Sequence, residues 1–218
     1  MQINEKKSNY MLFSHSTTEV ATRLKINNKV IDRLEEQKVL GVWITTWLDW
    51  QKNTDEIVKK SFARLSLITK LKYVGTSISD LIDVYVLFIR SLLEYCSTVW
   101  HSTLTVDQSN SIENVQKVCL KVMLGKDYNG YEQALHTCGL EKLWDRRERR
   151  CLNFALKSLT HPIHSMFPVN PQLNVQETRF KEYFLVNRAK TESYRNSAIL
   201  YLQRMLNTYV RTQKYKSK

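Results

Sequence analysis

Glycine and proline are scarce in this chain, with five Gly and three Pro in 218 residues. Gly disfavours regular structure through backbone entropy and Pro through its missing N–H. Their scarcity predicts long helices joined by few tight turns. Placement sharpens that expectation. Gly75 and Gly125 each stand just past an apolar stripe at helical spacing, where Gly commonly ends a helix. All three Pro fall in "HPIHSMFPVNP", between 161 and 171, which reads as a linker.

Four long helices are expected ahead of that linker. The first starts within Asp49–Asn53, and Asn53 with Glu56 has the spacing of a capping box. Asp55–Lys59 and Glu56–Lys60 are four apart in the favourable order. Ile57, Val58, Phe62, Leu65, Ile68 and Leu71 share one broad face, with Lys52, Lys59 and Lys70 opposite. The second begins near Ser79. Its "LIDVYVLFIRSLLEY" is apolar nearly all round, so the helix is buried or gives one face to a partner. The third follows Thr105, with Ile112, Val115, Cys119 and Val122 as its stripe.

The fourth runs from about Leu140 to Leu159 and contains "DRRERR". Lys142, Arg146, Arg150 and Lys157 share a face with Arg149 beside them; Leu140, Trp144, Cys151, Ala155 and Leu159 lie on the other side. Like charges four apart cost roughly 0.2–0.5 kcal/mol per pair in an isolated helix. Something must offset that cost: phosphates, or carboxylates elsewhere in the fold. A last helix is expected from about Tyr194, followed by the basic tail "RTQKYKSK".

The first fifty residues differ. "NYMLF" and "KVLGVWI" are short and rich in β-formers, and "INNKVIDR" carries an Asn-Asn turn signal. "VLGVWITTWLDW" holds three of the five Trp. In it Leu40, Val42 and Ile44 alternate as one strand face, and Gly41 permits close backbone approach. The expected fold is therefore mainly α, with short N-terminal β-hairpin elements. Its parts are a β-containing 1–50, a helical 51–160, and a 161–218 linker with a basic C-terminal helix.

Charge points to a partner. Lys and Arg number 33 against 21 Asp and Glu, and residues 126–218 alone hold 17 against 8. Such asymmetry favours a polyanion, nucleic acid or anionic membrane. No apolar run reaches the roughly 18 residues of a membrane span, and "MQINEKKSNYMLF" lacks an apolar signal core. An intracellular protein is expected, with nothing to choose between nucleus and cytoplasm. Cys96, Cys119, Cys138 and Cys151 form no CxxC pair and read as reduced thiols. His161 and His164 sit three apart on the Pro-broken segment, without the rigid, complete set a metal needs. There is no Gly-rich phosphate loop, no HExxH, no Gly-x-Ser-x-Gly and no Asp-Asp dipeptide. No catalytic residue, metal ligand or cofactor is assigned.

Several stretches carry a resemblance. Asn4-x-x-Lys7-Ser8 before an apolar strand resembles the Asn-x-x-Lys-Ser/Thr element of non-LTR retrotransposon (jockey-like) reverse transcriptases. "KVLGVWITTWLDW" resembles the next element, the primer-grip hairpin, with Thr45 where Asp is usual. "FIRSLLEYCSTVWHSTLT", "NVQKVCLKVMLG" and "LWDRRERRCLNFALKSLTHPIHSMFP" are similar to the helical region that follows. "YRNSAILYLQRMLN" is similar to the C-terminal end, with Leu200 where Pro is common.

The resemblance implies the end of a palm (1–50), an α-helical thumb (51–160) and a C-terminal extension. The family reaction is RNA-templated DNA synthesis with Mg2+ held by aspartates of an aromatic-Ala-Asp-Asp strand. Those aspartates lie upstream of the matching stretch, so this chain alone is expected to be inactive. The implied primer-grip residues are Leu40, Gly41, Val42 and Trp43. The implied nucleic-acid contacts are Lys7, Lys59, Lys60, Lys70, Arg146, Arg149 and Arg150, and the partner is an RNA–DNA hybrid or other nucleic acid. The alternative is a non-enzymatic helical binding module, self-associating through the apolar 79–95 surface that an absent palm leaves uncovered.

Overall fold

The computed structural model describes Asn4 and residues 8–13, 23–171 and 182–216. The chain divides into two compact units, 1–56 and 57–218.

The first unit is built from short strands. β1 (Asn9–Tyr10) pairs in parallel with β4 (Asp32–Arg33). β2 (Lys25–Ile26) and β3 (Lys29–Val30) pair antiparallel around Asn27-Asn28, whose φ angles are 47° and 65°. Asn tolerates this left-handed region, which is what a tight hairpin turn demands. β5 (Glu36–Val39) and β6 (Val42–Thr45) form a second hairpin with Val39 opposite Val42. Its turn is Leu40-Gly41, with φ 47° and 91°. Leu40 therefore sits at the tip, 87% exposed, while Val42 is buried. The alternation expected from the sequence fails at Leu40 because the turn removes it from the strand face.

Helix α1 (Gln51–Tyr73) spans the boundary in sequence. Asp49 stands at its start: one carboxylate oxygen accepts the Gln51 N–H at 3.2 Å and the other the Thr45 hydroxyl at 3.0 Å. Asn53 lies inside the helix, buried, and its Oδ1 accepts the Trp43 N–H at 3.2 Å. The expected Asn53–Glu56 capping box is thus absent, because the helix has already begun two residues earlier.

In the second unit, α1 buries Ile57 and Ile68 but leaves Phe62 partly exposed. It ends at Gly75 (φ 86°), where the Thr76 N–H reaches the Leu71 carbonyl and the Gly75 N–H that of Lys72. α2 (Ile78–Val84) is capped by Ser77, whose hydroxyl accepts the Asp80 N–H. It continues as a π-helical turn over Tyr85–Arg90 and then α3 (Ser91–Leu93). Leu81, Tyr85, Ile89 and Leu93 are buried at four-residue spacing, whereas Leu87 and Phe88 are exposed. One side of this apolar segment is therefore uncovered. α4 (Ser97–Trp100) follows a left-handed Cys96 (φ 51°).

The Thr105/Gln108 capping box opens α5 (Val106–Leu124), which buries Ile112, Val115 and Cys119. The Lys72 ammonium donates to the Val122 and Met123 carbonyls at its far end, at 2.7 and 2.6 Å. A short α6 (Tyr131–Thr137), unforeseen from the sequence, precedes α7 (Leu143–Ser158). The segment read as a linker holds a 3-10 turn over Pro162–Met166. Beyond come α8 (Glu192–Arg195) and α9 (Ala198–Lys216). Phe167 and Phe184 join Cys151, Ala155, Leu202 and Leu206 in one apolar cluster. That burial makes 182–216 part of the same compact unit as 57–160. The Asn207 side chain fixes the crossing: its Oδ1 accepts the Phe184 N–H and its amide donates to the Phe184 carbonyl. Among the described residues, no helix is long and apolar enough to cross a membrane.

Candidate phosphate-binding surface

The sequence left open what offsets the like charges of "DRRERR". Carboxylates do much of it. Glu94, 4% exposed, pairs with Arg146 Nε and with Arg150 at 3.5 Å. Glu141 takes Arg146 at 3.3 Å and both terminal nitrogens of Arg149. The Arg149 hydrogen bonds hold the Glu141 carboxyl below the usual carboxylate range. Lys142 pairs with Glu132 at 2.7 Å.

The neutralisation is incomplete. Arg90, half-buried on the π-helical turn, also belongs to this cluster: burial first, and then the nearby Arg146 charge, lower its pKa. Four guanidinium groups, Arg90, Arg146, Arg149 and Arg150, thus gather about two carboxylates. Against these two carboxylates alone the excess is two positive charges; Asp145 and Glu148 stand on the other side of Arg149. Arg149 and Arg150 keep half their side-chain surface in solvent, at 54% and 50%. Such a surface can accept a phosphate with charge-assisted hydrogen bonds.

A partly buried polar network fixes the helix that carries these groups. Glu113 on α5 accepts the Leu143 and Trp144 N–H groups at 3.1 and 3.3 Å, placing a carboxylate on the positive end of α7. The Tyr131 hydroxyl donates to the same carboxylate. Gln116 links the rest: its Oε1 accepts from Tyr85 at 2.5 Å, and its amide donates to Tyr131 and to the Glu141 carbonyl. Glu141 is therefore held through its backbone as well as its side chain.

Arg147 is the member of the run that the sequence reading assigned to neither face. It is fully buried, donating to His101 Nδ1 at 3.3 Å and to Ser109 Oγ at 3.2 Å, beside the Trp100 ring. It cannot reach a phosphate on the surface. Burial, and then the Arg147 charge, press the His101 pKa down to about 4, so the ring is neutral and accepts the guanidinium proton. A signal existed: Arg147 stands three after Trp144 and four before Cys151, inside the apolar stripe. No such signal marks Arg90, Glu94 or Glu141.

The other expected contacts fall elsewhere. Lys59, Lys60 and Lys70 are exposed on α1. In the first unit, the primer-grip-like residues Leu40, Gly41, Val42 and Trp43 form the tip and second strand of the β5–β6 hairpin. The hairpin is braced by a Lys52–Glu36 ion pair at 3.2 Å and by Lys52 over the Trp43 ring. Thr45, where the resemblance expects Asp, donates instead to Asp49. Lys7 lies outside the described residues; its neighbour Ser8 donates to the Asn4 carbonyl at 2.8 Å. Cys119, Cys138 and Cys151 are buried free thiols and Cys96 is half-buried. Among the described residues, no three His, Cys, Asp or Glu side chains are grouped to hold a metal ion. Comparison with protein-family models, with curated proteins and with solved structures finds no match for this chain.

Proposed function

We propose that this chain is a nucleic-acid-binding helical module that grips the phosphate backbone without reading sequence. The observation that carries it is the excess of two guanidinium charges at Arg90, Arg146, Arg149 and Arg150 over Glu94 and Glu141. The exposed Lys59, Lys60 and Lys70 and the basic 126–218 stretch support the same reading.

The resemblance to non-LTR reverse transcriptases gives this binding a setting. In that setting the partner is an RNA–DNA hybrid, and the Leu40-Gly41 tip meets a primer end. A bulky, exposed Leu held at positive φ breaks the local rule for such turns, and strain of that kind tends to gather at functional positions. Polymerisation is not proposed for this chain, which holds no Asp-Asp pair. In the family that pair holds Mg2+.

The test is a titration with an RNA–DNA hybrid over a range of salt. About four to seven phosphate contacts give a slope of log K against log salt of roughly −4 to −6. Absence of binding at low salt, or a flat slope, overturns the reading. A second reading is self-association through exposed Leu87, Phe88, Tyr95 and Val99. Light scattering decides it: a dimer that Phe88→Asp dissolves supports it, and a monomer at all concentrations removes it.

A further inference from the structure

The charged cluster is not the only feature of α7 suited to a nucleotide. A cleft of about 700 Å³ runs between α7 and α9. Its α7 wall is Asp145, Glu148, Arg149 and Leu152, spaced as one helix face. Its α9 wall includes Arg204, Met205, Thr208 and Tyr209. The volume is that of sites that hold small organic molecules.

From this lining we infer that the cleft takes one unpaired nucleotide of a single strand. The inference rests on the backbone-binding reading above and names the strand that reading leaves open. Leu152, Met205 and Tyr209 offer apolar and aromatic surface to a flat base, and stacking of this kind tolerates any base. Glu148 and Asp145 supply acceptors for the amino and imino hydrogens of a base edge. Glu148 is half-buried, and burial raises its pKa. Two cations flank these groups. Arg204 is held by neutral acceptors, the Arg195 carbonyl at 2.5 Å and Asn196 Oδ1 at 3.4 Å. Its charge is thus not spent on a carboxylate in those contacts. Arg149 belongs both to this cleft and to the guanidinium cluster. A strand whose phosphates lie on the cluster therefore reaches the cleft at Arg149.

Other guests fit less well. An aliphatic guest takes water from Asp145, Glu148 and Arg204 without offering them a hydrogen bond in return. A cationic peptide meets Arg149 and Arg204. A duplex cannot enter, because its base faces and edges are already covered. A base offers hydrogens to Asp145 and Glu148 while its phosphate meets Arg204 and the half-exposed Arg149.

The experiment compares a labelled single-stranded RNA with a blunt duplex of equal length by fluorescence anisotropy. It uses the full chain and the variants Thr208→Trp and Tyr209→Leu. Thr208 is exposed, so Trp there closes the cleft without entering the core; Leu at 209 keeps apolar contact but removes the ring. Thermal melts confirm that each variant is folded. Both variants are expected to weaken single-strand binding by about 5- to 50-fold and leave duplex binding unchanged. Single-strand binding unaltered in both folded variants overturns the cleft inference while leaving the backbone reading standing. If the full chain binds neither nucleic acid, the backbone reading falls. Methyl NMR at Met205 with nucleoside monophosphates then decides the cleft. A shift that Thr208→Trp abolishes supports a nucleotide site, one that takes the free monophosphate. No shift, or a shift only with a Lys- and Arg-rich peptide, overturns it.

Discussion

Replacing Glu94 by Gln separates the carboxylate that holds α7 in the fold from the one that only shields it. Glu94 is 4% exposed and pairs with Arg146 and Arg150. Removing one partner of a buried pair costs roughly 3–5 kcal/mol, because a charge is left uncompensated. Here Arg146 retains Glu141 at 3.3 Å and is partly solvated, which reduces the loss to about 2–3 kcal/mol. For a unit of this size each kcal/mol moves Tm by about 2–4 °C, so Glu94→Gln lowers Tm by about 4–12 °C. Glu141, 35% exposed, is a surface partner, and Glu141→Gln costs under about 1 kcal/mol. Circular dichroism melts of both variants provide the comparison, with and without inorganic phosphate. Phosphate raises the Tm of Glu141→Gln more than that of the parent, since the freed Arg149 takes the anion. Equal losses in the two variants, or no selective gain with phosphate, refute the division of labour between the two carboxylates.

Three further outcomes follow from the same geometry. His101 titrates at about 4 in the fold against an ordinary 6.5, so the unfolded chain binds the extra proton first. Its contribution is full above about pH 6.5 and falls as pH drops toward 4, by about 3 kcal/mol; urea midpoints should show a flatter acid limb in His101→Gln than in the parent. Leu40→Asn relieves a left-handed Leu at the hairpin tip, so the 1–56 unit gains about 0.5–1.5 kcal/mol by hydrogen exchange while hybrid binding weakens. A loss of protection in that hairpin counts against the strain argument. Gly125 has φ 60°, and a Cβ there sits 2.7 Å from the Lys72 ammonium. Gly125→Ala therefore costs about 1–3 kcal/mol in a melt, and part of that cost disappears in a Lys72→Met background.

Local rules were legible where the chain satisfies them locally. The Asn27-Asn28 turn, the Gly75 and Gly125 helix ends and the buried stripe of α5 all depend on residues within a turn or two. The short α6 carried no such signal, and Asn53 looked like a cap only because the backbone around Asp49 was unknown. Charge was legible as a count but not as a balance. Arg150 meets Glu94 across 56 positions, and no helical periodicity links the two. Arg147 shows the opposite failure: its spacing placed it in the apolar stripe, yet its charge suggested the surface. The run of bases on α7 is therefore weak evidence for a polyanion by itself, since one Arg is buried and the others meet carboxylates. What argues for phosphate is the remainder after pairing. That remainder depends on Arg90, which the sequence hid within its most apolar helix.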